Sequence, residues 1–115
     1  MAVRFPKPER SSPKSRGYDH RWDRLSIAFR KRHPFCDECE KRGRVVLADL
    51  TGHIIPVQDR PDLRLEWKNL RPLCTKCNAV AAVMEQFARD AGLVDKLPEW
   101  CADFSKRPMK FRPVT

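Results

Sequence analysis

Two Cys-x-x-Cys pairs constrain this chain more than any other feature of its sequence. The first pair is Cys36 and Cys39, and the second is Cys74 and Cys77. Two residues between paired cysteines let both sulfurs face one ion, and zinc prefers four thiolates in a tetrahedron. The spacing therefore predicts one metal-stapled domain whose folding depends on a structural zinc ion.

The same cysteines could instead form disulfides or be four unrelated buried thiols. Disulfides are the weaker of these two alternatives, because residues 1–10 carry charges and prolines where a secretory signal needs an apolar core. No run approaches membrane-spanning length, so we expect a reducing, cytoplasmic location and no membrane partner. The fifth cysteine, Cys101, follows Trp100 and is expected to be a small buried hydrophobe rather than a nucleophile.

The formal net charge of +9 is unevenly distributed along the 115 residues. Residues 1–33 carry ten Lys/Arg and three Asp/Glu. Residues 34–103 carry ten Lys/Arg and twelve Asp/Glu, and residues 104–115 carry four Lys/Arg and no acidic residue. Basic ends favour a nucleic acid partner, because each Lys or Arg that neutralises a phosphate releases a counterion. The alternative is that these segments are solvated arms.

The composition divides the chain into three parts. Residues 1–17 combine prolines and basic residues and cannot bury enough apolar surface to fold, which predicts a flexible basic N-terminal arm. The folded domain is predicted to span residues 18–104, and residues 105–115 to form a flexible basic tail. A helical stripe opens the domain and should end before Pro34; it comprises Tyr18, Trp22, Leu25 and Phe29.

Between the cysteine pairs the sequence predicts extended segments at residues 44–50, 53–55 and 63–67. A turn at Thr51 and Gly52 would separate the first two segments. After the second pair, a helix should begin with Thr75 as its N-cap and end at Gly92, and a shorter helix should follow at residues 98–104. These elements predict an α+β fold.

The segment between the cysteines resembles the HNH endonuclease family in two motifs and one further residue. The motifs are Gly52-His53-Ile54-Ile55-Pro56 and Asn69-Leu70-Arg71-Pro72-Leu73-Cys74, and Asn78 follows directly behind Cys77. The family's ββα-metal motif has a histidine at a strand end, an asparagine in the loop, and a histidine or asparagine in the first turn of the helix. The resemblance covers roughly residues 18–87. It implies a small zinc-stapled HNH domain with an N-terminal helix. Such a domain would nick or cut double-stranded DNA.

The resemblance implies a role for each matching residue. His53 would be the general base that takes a proton from the attacking water, and Asn69 would position the loop and the histidine. Asn78 would bind the catalytic cation, which would be Mg²⁺, Mn²⁺ or Ni²⁺. Hydrolysis would leave a 5′-phosphate and a 3′-hydroxyl. Compact proteins of this type are commonly encoded by bacteriophages and sometimes work beside the DNA-packaging machinery.

Gly52 departs from the family pattern, in which an aspartate or histidine before the base histidine also ligates the metal. We therefore expect weak affinity for the cation. Asp49 is the nearest acid that could compensate, because residues 49 and 53 would share one face of a regular strand. Asp59 or Glu66 could enter from the loop, and the plain alternative is that all three are solvated surface acids.

Six basic residues are predicted to contact DNA phosphates: Arg21, Arg24, Lys31, Arg32, Arg71 and Lys76. His20 and His33 lie among arginines and are expected to be exposed polar side chains. Two further functions stay open. One is a catalytically inactive HNH-like zinc module that binds DNA or a protein partner, which Gly52 favours. The second is a zinc-ribbon regulator unrelated to HNH enzymes, which would make the spacing of His53, Asn69 and Asn78 a coincidence.

Overall fold

A computed structural model describes residues 19–112, so the predicted arm at residues 1–17 lies outside the described residues. The helices and strands of the described part are α1 His20–Arg32, α2 Asp37–Lys41, β1 Leu50–His53, β2 Leu70–Leu73, α3 Thr75–Ala91 and α4 Leu97–Ala102. Single 3-10 turns lie at residues 61–63, 67–69, 94–96, 104–106 and 109–111. This order confirms the predicted α+β class and the N-terminal helix. Within residues 19–112, no helix combines the length and apolar character needed to cross a membrane.

The two strands pair antiparallel and lead directly into α3. His53 lies opposite Leu70 at one end of the ladder, and Leu50 lies opposite Leu73 at the other. Cys74 separates β2 from α3 and is the N-cap of that helix. The core of the domain is therefore a ββα unit, with both cysteines of the second pair at the junction of strand and helix.

The strands lie elsewhere than the sequence predicts. The segment 44–50 forms only an isolated bridge at Leu47 before β1 begins. Thr51 and Gly52 belong to β1, so the turn predicted there is wrong. The segment 63–67 is irregular with 3-10 turns at its ends, and β2 supplies the return strand instead. Pairing with β2, rather than local composition, decides which residues become β1.

The helices on either side of the sheet follow their sequence signals. Asp19 caps α1 by accepting a hydrogen bond from the backbone N–H of Trp22 at 3.1 Å, and this bond lowers the pKa of Asp19 to about 2. Trp22 and Phe29 are buried against Leu70 of β2. Gly92 ends α3 in the left-handed conformation with φ of 71°, as predicted.

The packed domain extends beyond residue 104. Arg107 is 3% exposed and its guanidinium pairs with the buried carboxylate of Glu38 in α2. The same guanidinium donates to the carbonyl of Trp100 at 2.6 Å, and Phe111 packs against the cluster around α4. Residues 105–112 are therefore part of the fold rather than a flexible tail. The sequence pattern missed this because Arg107 finds its partner 69 positions earlier in the chain.

Candidate functional site

The four predicted cysteine ligands converge on one point. Cys36, Cys39, Cys74 and Cys77 are buried, and their sulfurs all lie within 4.8 Å of one another. The sulfur of Cys39 lies 3.9 Å from that of Cys74 and 3.7 Å from that of Cys77. Zn–S bonds of about 2.3 Å in a tetrahedron give S–S separations of about 3.8 Å, so the cluster fits a zinc ion. No disulfide joins the five cysteines, all of which lie among residues 19–112, and Cys101 is buried as expected.

An open groove of about 1040 Å³ lies between α1, β1, the loop after β1 and the first turns of α3. Gly52, His53 and Asn78 all line it. The ββα unit therefore brings the predicted base and the predicted metal ligand to one cleft, and none of the four cysteines lines it.

The ring of His53 is held by two contacts. It stacks on Trp22 with centroids 4.5 Å apart and an interplanar angle of 24°. Its Nε2 donates a hydrogen bond to the carbonyl oxygen of Arg64 at 2.9 Å. Because a carbonyl only accepts, this bond places the hydrogen on Nε2 and leaves the lone pair of the neutral ring on Nδ1. Burial lowers the pKa of His53 below its ordinary value, although the bond to the carbonyl opposes that change. The neutral, proton-accepting form is therefore favoured.

Asn69 holds the loop that follows β1. It is 6% exposed, its Oδ1 accepts from the N–H of Ile55 at 2.9 Å, and its Nδ2 donates to the carbonyl of Ile55 at 3.0 Å. Nδ2 also reaches the carbonyl of Leu63 at 3.4 Å. The side chain does not line the groove. Its geometry is that of a positioning residue that acts on the backbone directly after His53.

Gly52 and Asn78 lie next to each other in the wall of the groove. A β-carbon built on Gly52 would lie 3.8 Å from Oδ1 of Asn78, so a side chain at position 52 would share one ligand point with that amide. The same β-carbon would lie 2.9 Å from Cδ1 of Leu73, a fully buried side chain. The side chains at positions 52 and 78 therefore offer a cation one neutral oxygen, the Oδ1 of Asn78. Such a donor suits a hard cation that keeps most of its waters, rather than one enclosed by protein ligands.

The three acids considered as replacements for the missing ligand have different surroundings. Asp49 lines the groove, but its Oδ2 accepts from the N–H and hydroxyl of Thr75 at 2.8 and 3.0 Å. These bonds lower the pKa of Asp49 and satisfy the start of α3, so Thr75 is the residue that receives a cap rather than the N-cap it was predicted to be. Asp59 pairs with Arg89 at 2.6 Å, and Glu66 does not line the groove.

The predicted phosphate contacts do not surround the groove. Arg71 is 4% exposed and pairs with Glu38 at 2.6 Å, so the expectation that it contacts DNA is wrong because its charge is already neutralised inside the protein. Lys76 is exposed in the first turn of α3 but lines a smaller pocket beside the cysteines.

The remaining four predicted contacts are exposed on α1: Arg21, Arg24, Lys31 and Arg32. At about 100° per residue they share one face of that helix, on the side roughly opposite to Ser26. Ser26 and Arg30 are the residues of α1 that line the groove together with Trp22. The four cations therefore form a basic surface on the side of α1 that faces away from the groove.

Two charged residues of the groove, Arg64 and Glu85, were missed in the sequence. Arg30 also lines the groove, and its Nη1 donates to the carbonyl of Asp49 at 2.8 Å, which keeps the guanidinium at the rim. Glu85 could have been found from helical spacing, because it follows Asn78 by seven residues on the same helix. Nothing in the local sequence marks Arg64.

The fold and the site together define a small ββα domain with a four-cysteine cluster at the root of its helix. Residues 36–80 match the family model described as HNH endonuclease. The fold is similar to the crystal structure of the HNH endonuclease of the deep-sea thermophilic bacteriophage GVE2 with manganese ion. The TM-score is 0.59 at 24% identity, over 64% of this chain and 80% of that chain. No curated protein matches the chain.

Proposed function

We propose that this protein is a metal-dependent endonuclease that hydrolyses phosphodiester bonds of double-stranded DNA. The observation that carries the proposal is the state of His53, which lines the groove with Nε2 bonded to a carbonyl and Nδ1 left as the acceptor. Asn78 lines the same groove on the opposite element. A base and an oxygen donor for a hard cation therefore face one cleft, which is what hydrolysis of a phosphodiester requires.

His53 takes a proton from the water that attacks the phosphorus. Its lowered pKa keeps the ring neutral near neutral pH, and the stack on Trp22 fixes the plane of the ring. The carbonyl of Arg64 accepts from Nε2 and stabilises the imidazolium that forms. The products are a 5′-phosphate and a 3′-hydroxyl. Asn69 contributes by holding the backbone at Ile55, and it does not touch the substrate.

Two metals have separate roles in this proposal. The four cysteines hold a structural zinc ion that fixes α3 against the sheet. Asn78 binds Mg²⁺, Mn²⁺ or Ni²⁺, and the manganese in the phage structure supports a divalent cation of this kind. Such a cation, when bound, supplies charge stabilisation at the phosphate and the departing 3′ oxygen.

DNA would be held through its phosphates by Arg30 and Arg64 at the groove, and the exposed basic face on the far side of α1 would contact phosphates outside it. Contacts of this kind position the duplex and read no sequence. The basic N-terminal arm would add further phosphate contacts. The phage origin of the similar structure supports a bacteriophage setting. A zinc site of four thiolates requires reduced cysteines, which suits a reducing, intracellular location.

Nicking of supercoiled plasmid tests the proposal. Zinc-loaded protein is incubated with Mg²⁺, Mn²⁺ or Ni²⁺, and His53→Ala is compared with wild type. His20→Ala is the matched control, because that histidine is exposed on α1 and does not line the groove. We expect nicking that requires the cation and His53 but not His20.

The same assay separates the enzyme from the inactive module. The close approach of Leu73 to position 52 is the observation that favours the module, because it fills the space of the family's usual ligand. DNA binding without nicking in all three metals would establish the module and overturn the enzyme.

A further inference from the structure

Glu85 differs from the second carboxylate that lines the groove. Asp49 and Glu85 are the two acids there, and the carboxylate of Asp49 is bound by Thr75. Glu85 is half-buried and makes no hydrogen bond or ion pair with any residue from 19 to 112. A carboxylate that is kept from water without a partner is costly, so the groove holds an acidic group whose charge is not used by the fold.

The position of Glu85 relates it to Asn78. Seven residues separate the two on α3, which is about two helical turns, and Ala82 lines the groove between them. The small side chain of Ala82 leaves the space above it open. Because helical side chains tilt toward the N-terminus, the carboxylate of Glu85 leans toward Asn78.

The distance between these groups suits a hydrated ion. Seven residues of helix rise about 10.5 Å, and because Asn78 and Glu85 both tilt toward the N-terminus, only the longer reach of glutamate shortens the separation of their oxygens, to about 9 Å. Two ligand bonds of about 2.1 Å followed by two hydrogen bonds of about 2.7 Å span about 9.6 Å. Glu85 can therefore reach the hydration shell of an ion bound by Asn78 through one further water, but not the ion itself.

The two arginines near Glu85 are already paired with other acids. Burial raises the pKa of Glu85 to about 7, and the charges of Arg71 and Arg89 oppose this effect while Asp59 adds to it. Arg71 is paired with Glu38, and Arg89 is paired with Asp59, so neither forms a direct ion pair with Glu85. A cation in the groove would relieve the cost of burying this carboxylate.

We propose that Glu85 holds the groove cation through its hydration shell, and so supplies the negative charge that Gly52 does not. The inference rests on the proposed function, because it concerns the cation that Asn78 would bind. Mg²⁺ and similar ions commonly keep several waters in protein sites, and groups that bind those waters change metal affinity by about 10–100-fold.

Direct measurement of Mn²⁺ binding tests the inference without any reference to activity. The electron paramagnetic resonance signal of free Mn²⁺ is followed while zinc-loaded protein is titrated at pH 8, where the Glu85 carboxyl is ionised. Glu85→Gln keeps the shape of the side chain and removes its charge. Glu66→Gln is the matched control, because it removes the same charge outside the groove.

We expect Glu85→Gln to weaken Mn²⁺ binding about tenfold and Glu66→Gln to leave it unchanged. Unchanged zinc content and circular dichroism establish that Glu85→Gln is folded. Equal affinities of Glu85→Gln and Glu66→Gln for Mn²⁺ would overturn the inference, and so would a wild-type protein that binds no Mn²⁺.

Plasmid nicking distinguishes this failure from failure of the proposed function. If wild type nicks DNA and Glu85→Gln needs no more Mn²⁺ than wild type, the inference is wrong and the endonuclease stands. If Mn²⁺ binding depends on Glu85 but wild type does not nick under any of the three metals, the inference stands and the endonuclease is wrong.

Discussion

Replacing Asn69 and Asn78 one at a time separates the part of the motif that builds the groove from the part that works in it. In Asn69→Ala, the N–H and the carbonyl of Ile55 both lose their partner, and Ile55 is itself buried. A buried backbone group without a partner costs about 1–3 kcal/mol. The bond to Leu63 is 3.4 Å long and adds little. We expect a loss of about 3 kcal/mol, which is a large fraction of the roughly 5–15 kcal/mol that stabilises a domain.

Asn78→Ala should behave in the opposite way. The Asn78 side chain is half-buried and makes no hydrogen bond to any residue from 19 to 112. Alanine also has the higher helix propensity, by about 0.5 kcal/mol. We expect the free energy of unfolding to change by less than about 1 kcal/mol, while metal-dependent nicking is lost because the cation loses its protein ligand.

Urea unfolding followed by tryptophan fluorescence measures the stabilities, and plasmid nicking measures the activities. Both variants are compared at equal zinc content. Asn69→Asp adds a third point, because its carboxylate can accept from Ile55 but cannot donate to the Ile55 carbonyl, so it should be destabilised as well. Equal losses of stability in Asn69→Ala and Asn78→Ala, or full stability of Asn69→Ala, would refute this division of roles.

Three further predictions concern the zinc ion, the buried side chain of Arg107 and the pH dependence of nicking. Removal of zinc by a chelator should unfold the domain, with loss of the helical circular dichroism signal, and a chelated protein that keeps its helices would contradict the zinc assignment. Arg107→Ala should lower the free energy of unfolding by about 3 kcal/mol, since it breaks a buried ion pair, while Lys106→Ala should change it by less than about 0.5 kcal/mol; urea titration of both is the check. Nicking should fall as the pH drops through the lowered pKa of His53, with a midpoint below 6.5, and a midpoint above 7 in the rate profile would exclude His53 as the titrating base.

One more prediction concerns Gly52, which stands where the family usually has a metal ligand. Gly52→Asp should raise activity at low metal concentration, because the new carboxylate would stand beside the amide of Asn78. The approach of 2.9 Å to Leu73 requires that side chain to shift, so the double variant Gly52→Asp/Leu73→Val should gain more than the single one. The metal dependence of nicking measures the gain, and no gain in either variant would mean that Gly52 is not the defect.

The features that could be predicted from the sequence are those fixed by local chemistry. Cysteine spacing predicted the metal cluster, and a glycine in the left-handed conformation ended α3 where it was expected. The strands were misplaced for two reasons. Val45 has a high β propensity but is 81% exposed and lies outside any strand. Gly52 has a low β propensity but belongs to β1, because β2 pairs with it. Propensity is a poor guide where pairing partners are distant in the chain.

The burial of charged residues was equally hard to predict from the sequence. Arg71 and Arg107 have the sequence context of surface cations, yet both are buried around Glu38, which lies between the first two cysteines. The cysteine cluster brings α2 and β2 together and so creates a partner that neither arginine has nearby in the sequence. Glu85, in contrast, could have been found from its helical spacing to Asn78.

The most direct test of the central claim is chemical rescue of the base. His53→Ala leaves a space between Trp22 and the carbonyl of Arg64 that free imidazole can enter. We predict that nicking by zinc-loaded His53→Ala in Mn²⁺ falls about 10²–10⁴-fold and is partly restored by added imidazole. A His53→Ala protein that nicks as fast as wild type, without imidazole, would contradict the claim that this ring takes the proton.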